Sequence, residues 1–348
     1  MIPRGMSVIS AATLLTPDRE VRPGSLEVGP DGCVHSISGV PSESSGTIVP
    51  GFVDLQCNGA AGASLADGTA ESFDAVAAAL LQTGTTAWCP TLPTALPDSY
   101  PRFLDTATAA RERPGPRILG VHLEGPFLSP NRAGAHRPDL LRLPDPDWLE
   151  ATLDRHPGLV RIVTLAPELP GALDLIELCV DRGVVVSLGH TDATAEQAED
   201  AFDAGATMVT HLFNAMRPLR HRDPGVIGAA VARDGVHVGL IADGAHVDPR
   251  VAAFFARALG PRRTVLVSDS VDHPVPEPLR GGFELLSGAV ANAVSWGIGF
   301  ADAIRMASAT AAEAVGEPAL GRLEVGSPAD CVRWDGGVRD VWIAGRHV

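Results

Sequence analysis

Between Pro50 and Ala319 the chain alternates eight short apolar runs with Ala-rich stretches, and that rhythm limits what it can fold into. The runs lie at 51–55, 85–89, 117–123, 159–165, 184–188, 207–210, 236–241 and 264–267. Stretches such as 72–82, 194–204 and 249–259 carry their apolar residues at helical spacing. Strands buried on both faces read as continuous apolar runs, and parallel strands need a crossover between them, usually a helix. Eight such steps predict an α/β fold, a TIM-like (β/α)8 barrel. An open doubly wound sheet shares the rhythm, but no Gly-x-Gly-x-x-Gly phosphate loop follows the first run.

The two ends have a different texture. Short alternating runs at 7–11, 25–28 and 33–37 are separated by Pro, Gly and Asp, and the pattern returns at 330–334 and 340–344. A small β domain built from 1–49 and 320–348 is therefore expected to bracket a barrel at 50–319. Composition narrows the function. A net charge of −15 argues against nucleic-acid partners, because phosphate backbones demand clustered positive charge. All 27 basic residues are Arg, which excludes Schiff-base, P-loop and carboxylated lysines. Five cysteines without a Cys-x-x-Cys pair are expected in a reduced, cytoplasmic protein. No apolar run suits a signal peptide or a membrane span.

Several apolar runs end in a chemically capable residue: ILGVHL leads into Glu124, VVVSLG into His190, ATMVT into His211, VHVGLIA into Asp243 and TVLVS into Asp269. Barrel active sites are assembled at the C-terminal strand ends, so these positions are expected to converge. A lone His is more often a satisfied core or loop residue than a ligand; several at strand ends are not explained that way. Glu124, His190 and His211 offer one carboxylate and two imidazoles, which suits a single divalent cation, Zn²⁺ or Fe²⁺. Asp269 is placed to take a proton from an activated water and return it to a leaving amine. His136, in the loop after Glu124, either polarises the carbonyl under attack or caps its own loop.

On the first strand Asp54, Gln56 and Asn58 are expected on one face, because strand side chains alternate. Neutral amides are poor ligands for a second transition metal, so one ion is expected rather than two. His122, two residues before Glu124, is expected to point inward, as core or as support for a ligand. The densest positive cluster, Arg217, Arg220, His221 and Arg222, follows the His211 strand and suggests capture of an anion, with His246 adding to it. The plainer reading is a solvated loop ion-paired to nearby acids.

These residues occur in longer runs. PGFVDLQCNG (50–59), HLEGPFLSPNRAGAH (122–136), VTLAPE (163–168), GHTDATAEQA (189–198), THLFNAMRPLRHRDPG (210–225), ADGAHVDP (242–249) and LVSDS (266–270) together resemble N-acetylglucosamine-6-phosphate deacetylases of the amidohydrolase superfamily. The resemblance implies a TIM-like barrel with a small β-sandwich made from both chain ends, and hydrolysis of N-acetylglucosamine 6-phosphate to glucosamine 6-phosphate and acetate. It assigns Glu124, His190 and His211 to one divalent metal, Asp269 to acid–base catalysis and His136 to the substrate carbonyl. It assigns Asn214, Ala215, Arg222 and His246 to the phosphorylated amino sugar, some of them across a homodimer interface. Gln56 and Asn58 resemble the one-metal members.

The segment between Asp269 and Ser287 departs from the pattern, being compressed into SVDHPVPEPLRGGFELL. The compression raises a second reading, a deacylase for a different N-acyl amino sugar, and a third, a silent ligand-binding barrel. Asp272 and His273 are expected on the loop surface.

Overall fold

The computed structural model describes residues 6–39, 44–273, 275–276 and 279–348. Eight parallel strands form the barrel wall: β1 Phe52–Cys57, β2 Thr85–Pro93, β3 Val121–Glu124, β4 Val160–Leu165, β5 Val185–Leu188, β6 Met208–Val209, β7 His237–Ile241 and β8 Thr264–Val267. Each pairs with the next in chain order. The wall closes just past the strand ends, where the Asp269 N–H donates to the Gln56 carbonyl and the Asn58 N–H to the Ser270 carbonyl, both at 2.8 Å. The run expected at 117–123 is split: Arg117–Ile118 pairs with β2, and Val121–Glu124 then makes β3.

The helices form where local chemistry starts them. Thr69 caps the helix Ala70–Gln82 by accepting the Ser72 N–H. Thr194 and Gln197 make a reciprocal capping box at the head of Ala195–Asp203. Pro249 opens Pro249–Leu259, where its missing N–H costs nothing. After β8 the chain makes three helices, Leu286–Ser295, Phe300–Met306 and Ala309–Ala314, and the Ala307 carbonyl accepts the Val53 N–H at the start of β1.

Two sheets at the termini complete the fold. One is six-stranded, in the order Arg346–His347, Val338–Ile343, Cys331–Trp334, Thr47–Pro50, Thr13–Leu15 and Glu20–Val21. The other is three-stranded, from Ser7–Ala11, Gly24–Val28 and Val34–Ser38. Ile9, Leu14, Leu26, Val34, Ile48 and Cys331 form one buried cluster with members on both sheets. Only Gly51 separates Thr47–Pro50 from β1, and a Cβ there would lie 2.1 Å from the Thr86 hydroxyl. The ribbon thus passes from small sheet to barrel without a linker.

Arg263, beside β8, ties the wall to the helix Gly225–Ala232. Its guanidinium donates to the carbonyls of Ala230, Val231, Arg233 and Val236 at and beyond the helix end. These carbonyls include ones the helix cannot pair itself, and bonds from a charged donor are the stronger kind. Arg263→Ala is expected to lower unfolding stability by about 2 kcal/mol in denaturant titration, with metal content unchanged.

Candidate active site

Glu124 closes β3, while His190, His211 and Asp269 each sit two residues beyond β5, β6 and β8. These last three share an uncommon backbone, with φ of 47°, 28° and 46°. Left-handed φ in non-glycine residues costs of order 1–3 kcal/mol and survives only where the surroundings enforce it. All three are at the mouth of the barrel.

Glu124 Oε1 lies 3.2 Å from His190 Nε2 and 3.0 Å from His211 Nε2, and the two imidazole nitrogens are 3.1 Å apart. All three residues are buried, at 4%, 5% and 3% exposure. His190 Nδ1 donates to the Arg132 carbonyl at 3.0 Å, which leaves Nε2 as a lone pair aimed at Glu124. A carboxylate and an imidazole lone pair cannot crowd together dry without a proton or a cation among them. Donor separations near 3 Å are roughly what bonds of ~2.0–2.2 Å to one ion require. The set therefore fits a divalent metal ion. Burial pushes the Glu124 carboxyl up, but the three imidazoles crowded around it, of His190, His211 and His136, outweigh it and hold it well below the usual range.

Asp269 Oδ1 accepts from Gln56 Nε2 and Asn58 Nδ2, both at 2.9 Å. Gln56 Nε2 also donates to Glu124 Oε1 at 3.1 Å, so one amide bridges the two carboxylates. Burial, reinforced by the negative charge of Glu124, pushes Asp269 up to about 8. His136 Nδ1 accepts the Thr94 N–H at 3.2 Å, so in the neutral ring Nε2 carries the proton and faces Glu124 Oε1 at 4.0 Å. Burial first, then the neighbouring His190, pushes His136 down to about 3. His136 is thus a neutral donor at working pH. Gly134 packs beneath this group: its φ is +58°, and a Cβ would sit 3.0 Å from the His190 ring.

These groups open on a cavity of about 430 Å³ whose wall includes Asn58, His136, Asn214, Ala215, His246 and Asp269. His246 Nδ1 bonds to Asp243 Oδ2 at 2.7 Å. Two expectations need correction, at Asp54 and Asp272. Arg222 is exposed and is not part of the cavity wall, and Arg217 is ion-paired to Asp223 at 2.8 Å. Of its two readings His122 takes the core one, bonding to the Leu55 carbonyl and to Thr164 Oγ1. Asp54 does not join Gln56 and Asn58, because the β1–β2 pairing slips by a bulge; its Oδ1 accepts the N–H groups of Gln56 and Ser268 at 3.2 Å. Asp272 lines the cavity rather than the outer surface, 3.3 Å from Arg280, whereas His273 is exposed. Sequence reasoning missed Arg137 and Arg280 in the wall. Arg137 follows His136 directly, which was the available signal; Arg280 lies in the compressed segment, where none existed.

Residues 47–348 match the amidohydrolase family. N-acetylglucosamine-6-phosphate deacetylase of Danio rerio is 35% identical over 340 residues, covering 86% of this chain and 84% of the relative. The same enzyme of Bacillus subtilis is 38% identical over 237 residues, and there the chain spans 60% of the relative's length. N-acetylgalactosamine-6-phosphate deacetylase of Escherichia coli O157:H7 is 32% identical, covering 97% of this chain and 98% of the relative. Among solved structures, N-acetyl-D-glucosamine-6-phosphate deacetylase of Mycobacterium smegmatis superposes with a TM-score of 0.91 at 35% identity, covering 98% of this chain and 99% of that one. An aspartate-to-alanine mutant of that enzyme was solved with N-acetyl-D-glucosamine 6-phosphate.

Removal of one donor should empty the site while sparing the fold. Glu124→Gln is expected to carry well under one metal ion per chain by elemental analysis, with an unchanged far-ultraviolet circular dichroism spectrum.

Proposed function

The chain belongs to the amidohydrolase family, and from that premise we propose that it removes the N-acetyl group of N-acetylglucosamine 6-phosphate, releasing glucosamine 6-phosphate and acetate. The observation that carries this reading is the Gln56 amide joining Asp269 to Glu124, which sets a proton acceptor beside the metal ligands. The names of the relatives supply the substrate class.

Glu124, His190 and His211 would hold a divalent cation, which would supply Lewis acidity to a water and a carbonyl beside it. The donor set suits Zn²⁺, and Fe²⁺ accepts the same donors. Asp269 removes a proton from the attacking water as its oxygen bonds to the acetyl carbon, then delivers that proton to the nitrogen as the C–N bond breaks. His136, neutral and donating from Nε2, takes up the negative charge that grows on the carbonyl oxygen. Asn214, Ala215 and His246 line the space for the sugar. Arg222 lies outside its own cavity, so its role as a phosphate contact requires a second copy of the chain. Leu219, on the same loop, and Phe254 are exposed at 42% and 60%, apolar surface that a homodimer would cover. Five unpaired thiols suit a reducing cytoplasm, and among the described residues no helix is long and apolar enough to cross a membrane.

The compressed segment does not favour another N-acyl substrate. This chain and the M. smegmatis deacetylase each cover nearly all of the other. The deciding assay compares acetate release from N-acetylglucosamine 6-phosphate, its galactosamine epimer and unphosphorylated N-acetylglucosamine, with metal analysis of the same sample. The first is expected to turn over fastest; faster release from the epimer or the unphosphorylated sugar would overturn the assignment. Asp269→Asn is expected to keep its metal and lose roughly 10²–10⁴-fold in kcat.

Activity needs Asp269 ionised, so it falls as pH drops through the pKa of that carboxyl. Asn58 donates to the carboxylate and favours its charged form. Asn58→Ala removes that donor, raises the pKa, and is expected to move the acid limb of kcat/KM to higher pH.

A further inference from the structure

The strained backbone at His190 is held largely by groups that neither ligate the metal nor line the cavity. Glu168, three residues past β4, spends both oxygens on the two residues that follow His190: Oε2 accepts the Thr191 hydroxyl at 2.5 Å and Oε1 the Asp192 N–H at 2.6 Å. Asp192 in turn binds Arg132, with Oδ1 at 2.8 Å from Nε and 2.7 Å from Nη2. The Arg132 carbonyl accepts the His190 Nδ1–H, and the Ser129 N–H donates to the His190 carbonyl at 2.9 Å. Thr191 is fastened on its other side, its N–H to the Ala215 carbonyl and its carbonyl to the Arg217 N–H. A ring of bonds runs from Glu168 through Asp192 and Arg132 back to His190.

Among the described residues Glu168 has no cationic partner; its acceptors face a hydroxyl and an amide. A carboxylate used this way fixes backbone. Freed of it, His190 would relax toward negative φ, and its imidazole would swing with the backbone. We propose that Glu168 is a positioning residue for the metal site, holding His190 in its left-handed conformation through Thr191 and Asp192. The inference rests on the reading that His190 ligates the cation.

Glu168 also faces an open depression shared with Asp174 and Asp200, so truncating it leaves space open to solvent and no sealed void. The experiment titrates metal-free wild-type protein, Glu168→Ala, Glu168→Gln and Thr191→Val with zinc against a competing chelator, and records Tm of each metal-free form. Glu168→Ala is expected to bind zinc ~10–100-fold more weakly with Tm close to wild type. Glu168→Gln is expected to restore most of the affinity, since its carbonyl accepts the Asp192 N–H and its amide donates to the Thr191 hydroxyl. Thr191→Val, which deletes one of the two Glu168 bonds together with the Ala193 N–H bond to the same hydroxyl, is expected to fall between, and it carries the test if Glu168→Ala does not fold. Wild-type affinity in Glu168→Ala, or in Thr191→Val when that variant stands in, would overturn the inference alone. A wild-type chain that takes up no zinc would overturn the proposed site and the inference together.

Discussion

Three electron-pair donors forced within 3.2 Å of one another, each almost wholly buried, are the constraint on which the rest of the molecule turns. Such an arrangement is repulsive by itself and becomes favourable around positive charge. Its surroundings answer to that need. The Arg132 carbonyl fixes the His190 tautomer, Gln56 donates to Glu124, and the rigid parallel wall holds strand ends that come from opposite parts of the barrel. The left-handed turns at His190, His211 and Asp269 aim side chains from short strands into a shared space. Folding energy from the apolar wall is what tolerates the strain.

The two groups flanking the ligands are pushed in opposite directions by the same burial. A neutral imidazole is the form that low polarity favours, so His136 stays an uncharged donor. A neutral carboxyl is likewise favoured, so Asp269 holds protons more tightly than an exposed Asp would. An incoming cation works against burial at Asp269, and so do the amides of Gln56 and Asn58. Acid–base pairs are separated by environment in this way. One residue serves as a fixed hydrogen-bond source while the other cycles a proton.

Much of this was legible in the residues. Strand-terminal Glu124, His190, His211 and Asp269 stand out because apolar runs stop at them, and alternation plus barrel geometry brings them together. What could not be read depends on departures from regularity or on chain-distant contacts. Alternation misplaced Asp54, because a bulge in the β1–β2 pairing breaks the period of two. Spacing left His122 as core or as a ligand's support, and only its partners on other strands, Leu55 and Thr164, decide for the core. Arg222 sits within a motif that promises a phosphate contact, while the loop carries its side chain away from the cavity of its own chain. Glu168 lies in a recognised run, but nothing in that run shows that it grips residues 191 and 192.

The ribbon from Thr47 through Gly51 into β1 links the order of synthesis to the order of assembly. Thr47–Pro50 is flanked on one side by Thr13–Leu15, available early, and on the other by Cys331–Trp334, which leaves the ribosome only after every metal ligand has been made. The strand that leads through Gly51 into β1, and so to Gln56, therefore gains its outer neighbour late. A nascent chain can hold nearly the whole barrel while the ribbon that feeds its first strand still has an unpaired edge.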